Sequence, residues 1–235
     1  MKKFNTSTCS LIISVILLGV PAYAATIKGV VSYEGEVPNL KPIDMGADAI
    51  CLSKHGSAVM PQILVLDENK KMANVLVQIV SGLPKQEYPV PTEPVVLTQE
   101  GCQYHPHVVG VQVGQTVKVL NPDGTLHNVH ALCKVNAEFN LAMPKFRTEM
   151  TKVFDKVETM FPIKCDVHPW MAGWVAVLAH PYFNVSQTNG AFEIANVPAG
   201  TYELEAWHEK LGTQKASVTV TADETKEVNF TFSRP

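Results

Sequence analysis

Residues 165–175 read CDVHPWMAGWV and carry Cys165, His168 and Met171 at intervals of three. The proline and glycine of this stretch are typical of a turn, and the apolar run GWVAVLA at 173–179 predicts a strand at its end. Thiolate, imidazole and thioether groups are ligands that soft transition metals prefer. The stretch therefore predicts a tight loop that presents three metal-binding side chains next to a strand.

Most of the chain outside this loop also has the pattern of short strands. Runs rich in β-branched and aromatic residues alternate with Gly, Pro, Asn and Asp, which favours an all-β sandwich or barrel. The other predicted strands cover residues 25–33, 62–67, 74–80, 94–98, 107–113, 116–121, 190–197, 201–207, 215–221 and 227–232. Residues 41–58 and 133–150 lack strong signals, so we expect them to be irregular or briefly helical.

A second segment, NPDGTLHNVHA at 121–131, offers another histidine after a predicted strand. His127 follows a glycine-containing turn there and opens a short strand. With Cys165, His168 and Met171 it completes the two imidazoles, one thiolate and one weak thioether that bind a mononuclear blue copper ion. A structural zinc ion would prefer a closed set of Cys and His ligands.

The two segments resemble the ligand loops of cupredoxins. The pattern C-x-x-H-P-x-M, followed by a small residue and glycine, is most similar to the amicyanin type, and the resemblance covers residues 94–180. It implies a Greek-key sandwich with one type 1 copper per chain. It also implies that His127, Cys165 and His168 are equatorial ligands and that Met171 is the axial ligand.

The same resemblance assigns roles to residues beside the ligands. Asn128 matches the asparagine whose side-chain amide ties the two ligand loops together. Trp170, with Pro169 and Trp174, corresponds to the apolar rim around His168 on which a redox partner docks.

The end of the chain resembles a different family. Residues 181–235 follow the strand and turn pattern of carboxypeptidase regulatory-like domains, which are small transthyretin-type β-sandwiches. IKGVVSYEG at 27–35 resembles the first strand of the same domain type. Two organisations stay open: residues 25–93 contribute to the C-terminal sandwich around an inserted domain at 94–180, or the domains follow one another.

The first 24 residues have the features of a secretory signal peptide, with two lysines, an apolar run at 11–20 and an A-x-A site ending at Ala24. We therefore expect an exported, periplasmic protein without a membrane span, as in a Gram-negative bacterium. Loss of the signal changes the formal net charge from −3 to −5, because 17 basic and 22 acidic residues remain. Without a basic cluster, nucleic acid is not an expected partner.

Four cysteines follow the signal, and an exported protein can form disulfides. With Cys165 assigned to the metal, we favour a Cys51–Cys102 bridge that pins residues 41–58 to the copper domain. Pairings of Cys133 with either partner stay open. Under the favoured pairing, Cys133 is a buried free thiol.

Several further histidines lie at predicted strand ends and turns. The candidate second metal site consists of His107, His130, His180 and His208. The simpler interpretation is that each is an ordinary surface or hydrogen-bonded histidine.

The complete 2His-Cys-Met set leaves no open position for a substrate, which favours an electron carrier over an enzyme. The resemblance implies periplasmic redox partners of the cytochrome c or dehydrogenase type. Proteins that join these two domain types include some labelled methylamine-utilisation proteins. The alternatives are a copper-binding, storage or delivery module, and a copper enzyme that uses the second histidine site.

Overall fold

The computed structural model describes residues 24–234 and consists almost wholly of β-strands. The inferred signal peptide, up to Ala24, lies outside this range apart from that last residue. The described range contains one short helix, α1 (Ala49–Ser53). No helix in that part of the chain has the length and apolar character that a membrane crossing requires.

The described range contains seventeen strands. They are β1 (Ala25–Glu34), β2 (Leu76–Ser81), β3 (Val95–Glu100), β4 (Gln103–His105), β5 (Val108–Gln112), β6 (Thr116–Leu120), β7 (His127–Ala131), β8 (Phe139–Met143), β9 (Glu149–Val153), β10 (Glu158–Lys164), β11 (Ala172–Leu178), β12 (Phe183–Val185), β13 (Ala191–Val197), β14 (Gly200–His208), β15 (Gly212–Val220), β16 (Thr225–Glu227) and β17 (Phe230–Ser233).

The middle of the chain forms an inner sandwich of two sheets. One sheet has the strand order β5-β11-β10-β7-β8 and the other the order β4-β3-β6-β9. Two of the strand pairs, β5 with β11 and β3 with β6, are parallel, so the connections between them cross from one part of the sandwich to another. Alternate apolar side chains of these strands, such as Val117, Val119 and Ile163, fill the space between the sheets.

The two ends of the chain together form an outer sandwich. Strand β1 pairs antiparallel with β13 and parallel with β16 and β17, all from the last part of the chain. The facing sheet has the order β12-β2-β14-β15. The inner sandwich is therefore inserted between β2 and β12 of the outer one.

The two sandwiches share a small apolar interface. Leu76 of β2, Val108 of β5 and Ala176 of β11 are buried there, and the rings of Trp174 and Trp207 lie 5.1 Å apart across it. Burial of this area holds the two sandwiches together.

Several stretches differ from the predicted strands, among them residues 62–67 and residues 133–150. Residues 62–67 form no strand, because the Asp67 carboxylate accepts hydrogen bonds from the N–H groups of Asn69 and Lys71 and turns the chain back. Conversely, 133–150 contains β8 and the start of β9, and β10 follows. Strands β8 and β9 are half-exposed, and β8 has no β-branched residue, so their pattern is weak.

Candidate metal centre

Two loops at one end of the inner sandwich bring three metal-binding side chains together. His127 opens β7, while Cys165 and His168 lie on the loop between β10 and β11. That loop is closed by its own backbone. The Cys165 N–H donates to the Met171 carbonyl at 3.1 Å, and the Met171 N–H donates to the His168 carbonyl at 2.9 Å.

The donor atoms of His127, Cys165 and His168 all lie within 4.8 Å of one another. The two Nδ1 atoms are 2.9 Å apart, and Cys165 Sγ is 3.8 Å from His168 Nδ1. In tetrahedral geometry, a metal with bonds of about 2.0 Å to nitrogen and about 2.3 Å to sulfur would separate two nitrogens by about 3.3 Å and nitrogen from sulfur by about 3.5 Å. The three side chains are therefore spaced as ligands of one ion.

A carboxylate fixes each imidazole from its far side. Asp123 Oδ2 is 3.0 Å from His127 Nε2, and Asp48 Oδ2 is 3.1 Å from His168 Nε2. Because an ionised carboxylate only accepts hydrogen bonds, each Nε2 carries a proton and each Nδ1 can present its lone pair. Lone pairs this close need a proton or a metal ion between them, and such carboxylates orient the histidines of metal sites.

The electrostatics of the site favour a thiolate. Burial by itself would raise the pKa of Cys165, but hydrogen bonding to His127 and to backbone N–H groups outweighs it and lowers that pKa. Burial would also raise the pKa of Asp123. Its bonds to His127 and to the N–H groups of Cys102 and Gly101 are stronger and bring the pKa to about 2.

Asn128 and Met171 complete the surroundings of the three ligands. Asn128 Oδ1 lies 3.2 Å from Cys165 Sγ and accepts from the Asp166 N–H at 2.8 Å, so this side chain joins the strand that begins at His127 to the loop of Cys165. Met171 is 1% exposed and belongs to the same buried cluster as Cys165. A thioether is thus available in the apolar interior beside the site.

A segment tethered by a disulfide covers His168. We call residues 41–60 the cap. Cys51, in α1 of the cap, is bonded to Cys102, and its Sγ lies 3.5 Å from His168 Nε2. Asp48 begins the helix, since its Oδ1 accepts two backbone N–H bonds of the first turn while its Oδ2 faces His168.

The cap gives His168 an environment that differs from the predicted docking rim. A docking rim needs an exposed imidazole edge, whereas His168 is 2% exposed because Asp48 and the disulfide lie against that edge. Trp170 packs on His168 with 5.1 Å between ring centroids and donates to the Cys102 carbonyl at 3.1 Å. Trp174 instead packs across the interface between the sandwiches.

Sequence reasoning missed the carboxylates that face the histidines. The available signal for Asp48 was its position three residues before Cys51, as expected of a residue that caps a short helix. For Asp123 the signal was its position four residues before His127 in the same turn.

The four histidines of the candidate second site lie in different surroundings. His130 lies on the surface between the carboxylates of Asp166 and Glu138, at 3.0 and 3.1 Å. His180 packs beside the ring of Tyr182, and burial lowers the pKa of His180.

The other two lie where the sandwiches meet. His107 Nε2 is 2.5 Å from Glu209 Oε1, and its Nδ1 donates to the Ala172 carbonyl at 3.1 Å. Burial lowers the pKa of His208 to about 4. Among the described residues, each group of three potential His, Cys or acidic ligands contains His127 or His168, and none contains these four histidines. The second site stays a prediction.

Comparisons with known proteins follow the division into two sandwiches. Residues 179–233 match the carboxypeptidase regulatory-like domain. Two amicyanin variants of known structure, one in the Cu(I) form and one reduced, are 27% and 28% identical to the chain, with TM-scores of 0.34 and 0.33. Each comparison covers 43% of this chain and 98% of the amicyanin.

A Cu-containing nitrite reductase from Thermus scotoductus SA-01 is 19% identical, with a TM-score of 0.34. The match covers 42% of this chain and 25% of the reductase. No curated protein matches the sequence. The strand arrangement and the family match confirm the predicted fold class, an all-β protein with a cupredoxin-like sandwich and a small transthyretin-like sandwich.

Proposed function

We propose that the protein binds one copper ion through His127, Cys165, His168 and Met171 and carries single electrons between periplasmic redox proteins. One observation carries the proposal: two Nδ1 atoms and a sulfur with a lowered pKa converge on one buried point. Buried lone pairs that converge in this way are typical of the ligands of a metal ion.

Copper suits these donors better than zinc does. Structural zinc sites use four Cys and His ligands, whereas the fourth candidate here is the thioether of Met171. Two imidazoles, a thiolate and a weak thioether match the preferences of a blue copper centre. When bound there, copper would supply reversible one-electron exchange between Cu(I) and Cu(II).

The chain's own residues would hold the ligands in one arrangement through that exchange. Asp48 and Asp123 orient the two imidazoles, and Asn128 ties the two loops together. Because the ligands are buried, water is kept away from the ion. A site held in this way needs little rearrangement when one electron arrives or leaves.

Export and the choice of partners belong to the same proposal. A signal peptide at the start of the chain would deliver it to the periplasm, where cytochrome c or dehydrogenase proteins would be its partners. A partner would approach across the cap or beside Trp170, since His168 itself is covered.

The test is a Cu(II) titration followed by visible absorption, with a Cys165→Ser variant and a Cys133→Ser control. Cys133 is the matched control because it is the other free, buried cysteine of the described residues. We expect an intense thiolate-to-copper band that saturates at one copper per chain, bleaches with ascorbate and returns on oxidation. Cys133→Ser keeps the band and Cys165→Ser loses it; a band that survives in Cys165→Ser contradicts the ligand assignment.

A copper-holding module is the second candidate. The burial of His168 favours it, because a covered imidazole edge slows the exchange of both copper and electrons. A reversible midpoint potential with rapid reoxidation supports the carrier. Copper that shows no reversible exchange between Cu(I) and Cu(II), but transfers to a chelator as Cu(I), supports the holding module.

A further inference from the structure

Two groups of potential metal ligands lie on the outer side of the proposed copper site and share the disulfide. Within each group the donor atoms lie within 4.8 Å of one another, and the members are Asp48, Cys51 and His168 in one and Cys102, Asp123 and His127 in the other. Neither group can use its sulfur as a thiolate while the two sulfurs are bonded to each other. The disulfide therefore decides how many metal ligands this end of the sandwich offers.

We propose that reduction of the disulfide creates a second metal site, in which the thiolates of Cys51 and Cys102 bind one Cu(I) ion. The reductant is a dithiol: its two thiols become a disulfide, the Cys51–Cys102 bond breaks, and two cysteine thiols form. Binding of Cu(I) then releases the two thiol protons. Soft thiolates are the ligands that select Cu(I).

The backbone around both cysteines is fixed independently of the sulfur–sulfur bond. The Cys51 N–H donates to Asp48 Oδ1 at 3.0 Å, and the Cys102 N–H donates to Asp123 Oδ2 at 2.7 Å. The two Cα atoms are 5.6 Å apart. With metal–sulfur bonds of about 2.3 Å, two thiolates up to about 4.6 Å apart reach one ion. The reduced pair can therefore meet this requirement without movement of the backbone.

His168 links the second site to the first. Its Nε2 is 3.5 Å from Cys51 Sγ, so one edge of the ring lies against the second site. Its Nδ1 faces the inner ligands on the opposite edge of the same ring. The outer ion would thus lie beside the inner one, at an entry position that closes when the disulfide forms.

A reductant would reach the bridge through local opening of α1. Both bridging cysteines are fully buried, but α1 is a single turn whose Ile50 and Leu52 are 43% and 57% exposed. Elements with few buried apolar contacts open locally at little cost in free energy.

The experiment counts Cu(I) ions per chain in the exported protein without copper. One sample is treated with a dithiol and desalted under anaerobic conditions, the other stays oxidised, and both are titrated with Cu(I) against a colorimetric Cu(I) chelator. We expect two ions per chain after reduction and one before it. Cys133→Ser is the control for the remaining thiol and gives the same two values.

Two variants make the result decisive. Cys51→Ser/Cys102→Ser should bind one ion under both conditions. Cys165→Ser lacks the inner thiolate, and after reduction it should bind one ion. X-ray absorption should then show two sulfur neighbours around that ion. This second measurement is informative even if the double variant does not fold. A reduced wild type that binds one ion, or a double variant that binds two, overturns the second site. If instead the inner site is wrong, the oxidised protein binds none while reduction still adds one.

Discussion

At the scale of single residues, the chemistry of the site depends on which nitrogen of each histidine carries a proton. Asp123 and Asp48 hold the two Nε2 protons and leave the Nδ1 atoms facing each other. The candidate ligands on the loop after β10 could be proposed from the sequence because Cys165 and His168 are close together in it. Asp48 was not, because it lies 120 residues before His168.

Replacement of Asp123 by Asn should weaken copper binding. The carboxylate is 1% exposed and accepts from His127 Nε2. An amide in its place has no negative charge and would fix the imidazole ring less firmly. Such changes beside metal ligands cost about 10- to 100-fold in affinity. Competition with a Cu(II) chelator measures the loss, and Asp155→Asn, an exposed aspartate of the same domain, is the control. Equal affinity in Asp123→Asn and the wild type would show that the carboxylate does not orient the ring.

Because of Glu158, the stability of the inner sandwich should vary with pH in the acid range. Burial opposes its ionisation, but the N–H groups of Asn136 and Lys134 and the side chain of Asn136 donate to it and lower its pKa from 4.5 to about 2. Since the folded pKa lies below the unfolded one, this stabilisation is complete above pH 4.5 and is lost as pH falls from 4.5 towards 2.

Glu158→Gln should therefore lose about 1 to 2 kcal/mol of unfolding free energy at neutral pH, after allowance for solvent screening. The difference from the wild type should shrink as the pH falls below 4.5. Urea unfolding of the copper-free protein between pH 3 and 7 (about four units, which includes the upper part of the titration) measures it. Glu149→Gln, with a side chain that is 50% exposed, is the control. A difference that does not change with pH would refute the assignment.

At the scale of elements, the cap is the segment that covers the site, and the disulfide, Asp48 and the buried side chain of Met45 hold it there. It was expected to be irregular or briefly helical, and a helix of five residues is present. Its position over His168 depends on a bridge between cysteines 51 residues apart. The sequence favoured this bridge but did not indicate that the bridged segment lies over His168, so the burial of His168 was not predicted.

Removal of the bridge by Cys51→Ser/Cys102→Ser should lower the unfolding free energy by about 2 to 4 kcal/mol, because the unfolded chain regains the entropy of a long open loop. Denaturant unfolding of the copper-free protein measures the difference. Cys133→Ala removes a cysteine without breaking a bridge and should cost less than about 1.5 kcal/mol. Equal stability of the double variant and the wild type would mean that the cap contributes nothing to the fold.

At the scale of the whole molecule, one sandwich is inserted into another. The sequence indicated two families of strands and left open how they are joined. The arrangement is fixed by the pairing of β1 with β13, β16 and β17. The resemblance of residues 27–35 to the first strand of a regulatory-like domain raised this arrangement but could not decide it, because the contacts join the two ends of the chain. The insertion anchors both ends of the inner sandwich to one rigid neighbour.

The interface between the sandwiches should be sensitive to a single methyl group. Gly110 in β5 lies so close to the ring of Phe183 in β12 that an added Cβ would overlap it. Gly110→Ala should cost about 1 to 3 kcal/mol by overpacking, measured by denaturant unfolding. Gly56→Ala, where a Cβ meets no neighbour within 4 Å, is the control. A second change, Phe183→Leu, should recover part of the loss; no loss in Gly110→Ala would contradict this close packing.

As a carrier of single electrons, the protein would keep the same ligands on one copper ion in both oxidation states. X-ray absorption at the copper edge, on protein loaded with one equivalent of copper, tests it most directly when Cu(II) and reduced Cu(I) samples are compared. We expect one short sulfur bond, from Cys165, and two imidazole nitrogens in both samples. A spectrum without the short sulfur bond, or a ligand set that changes on reduction, would contradict the account.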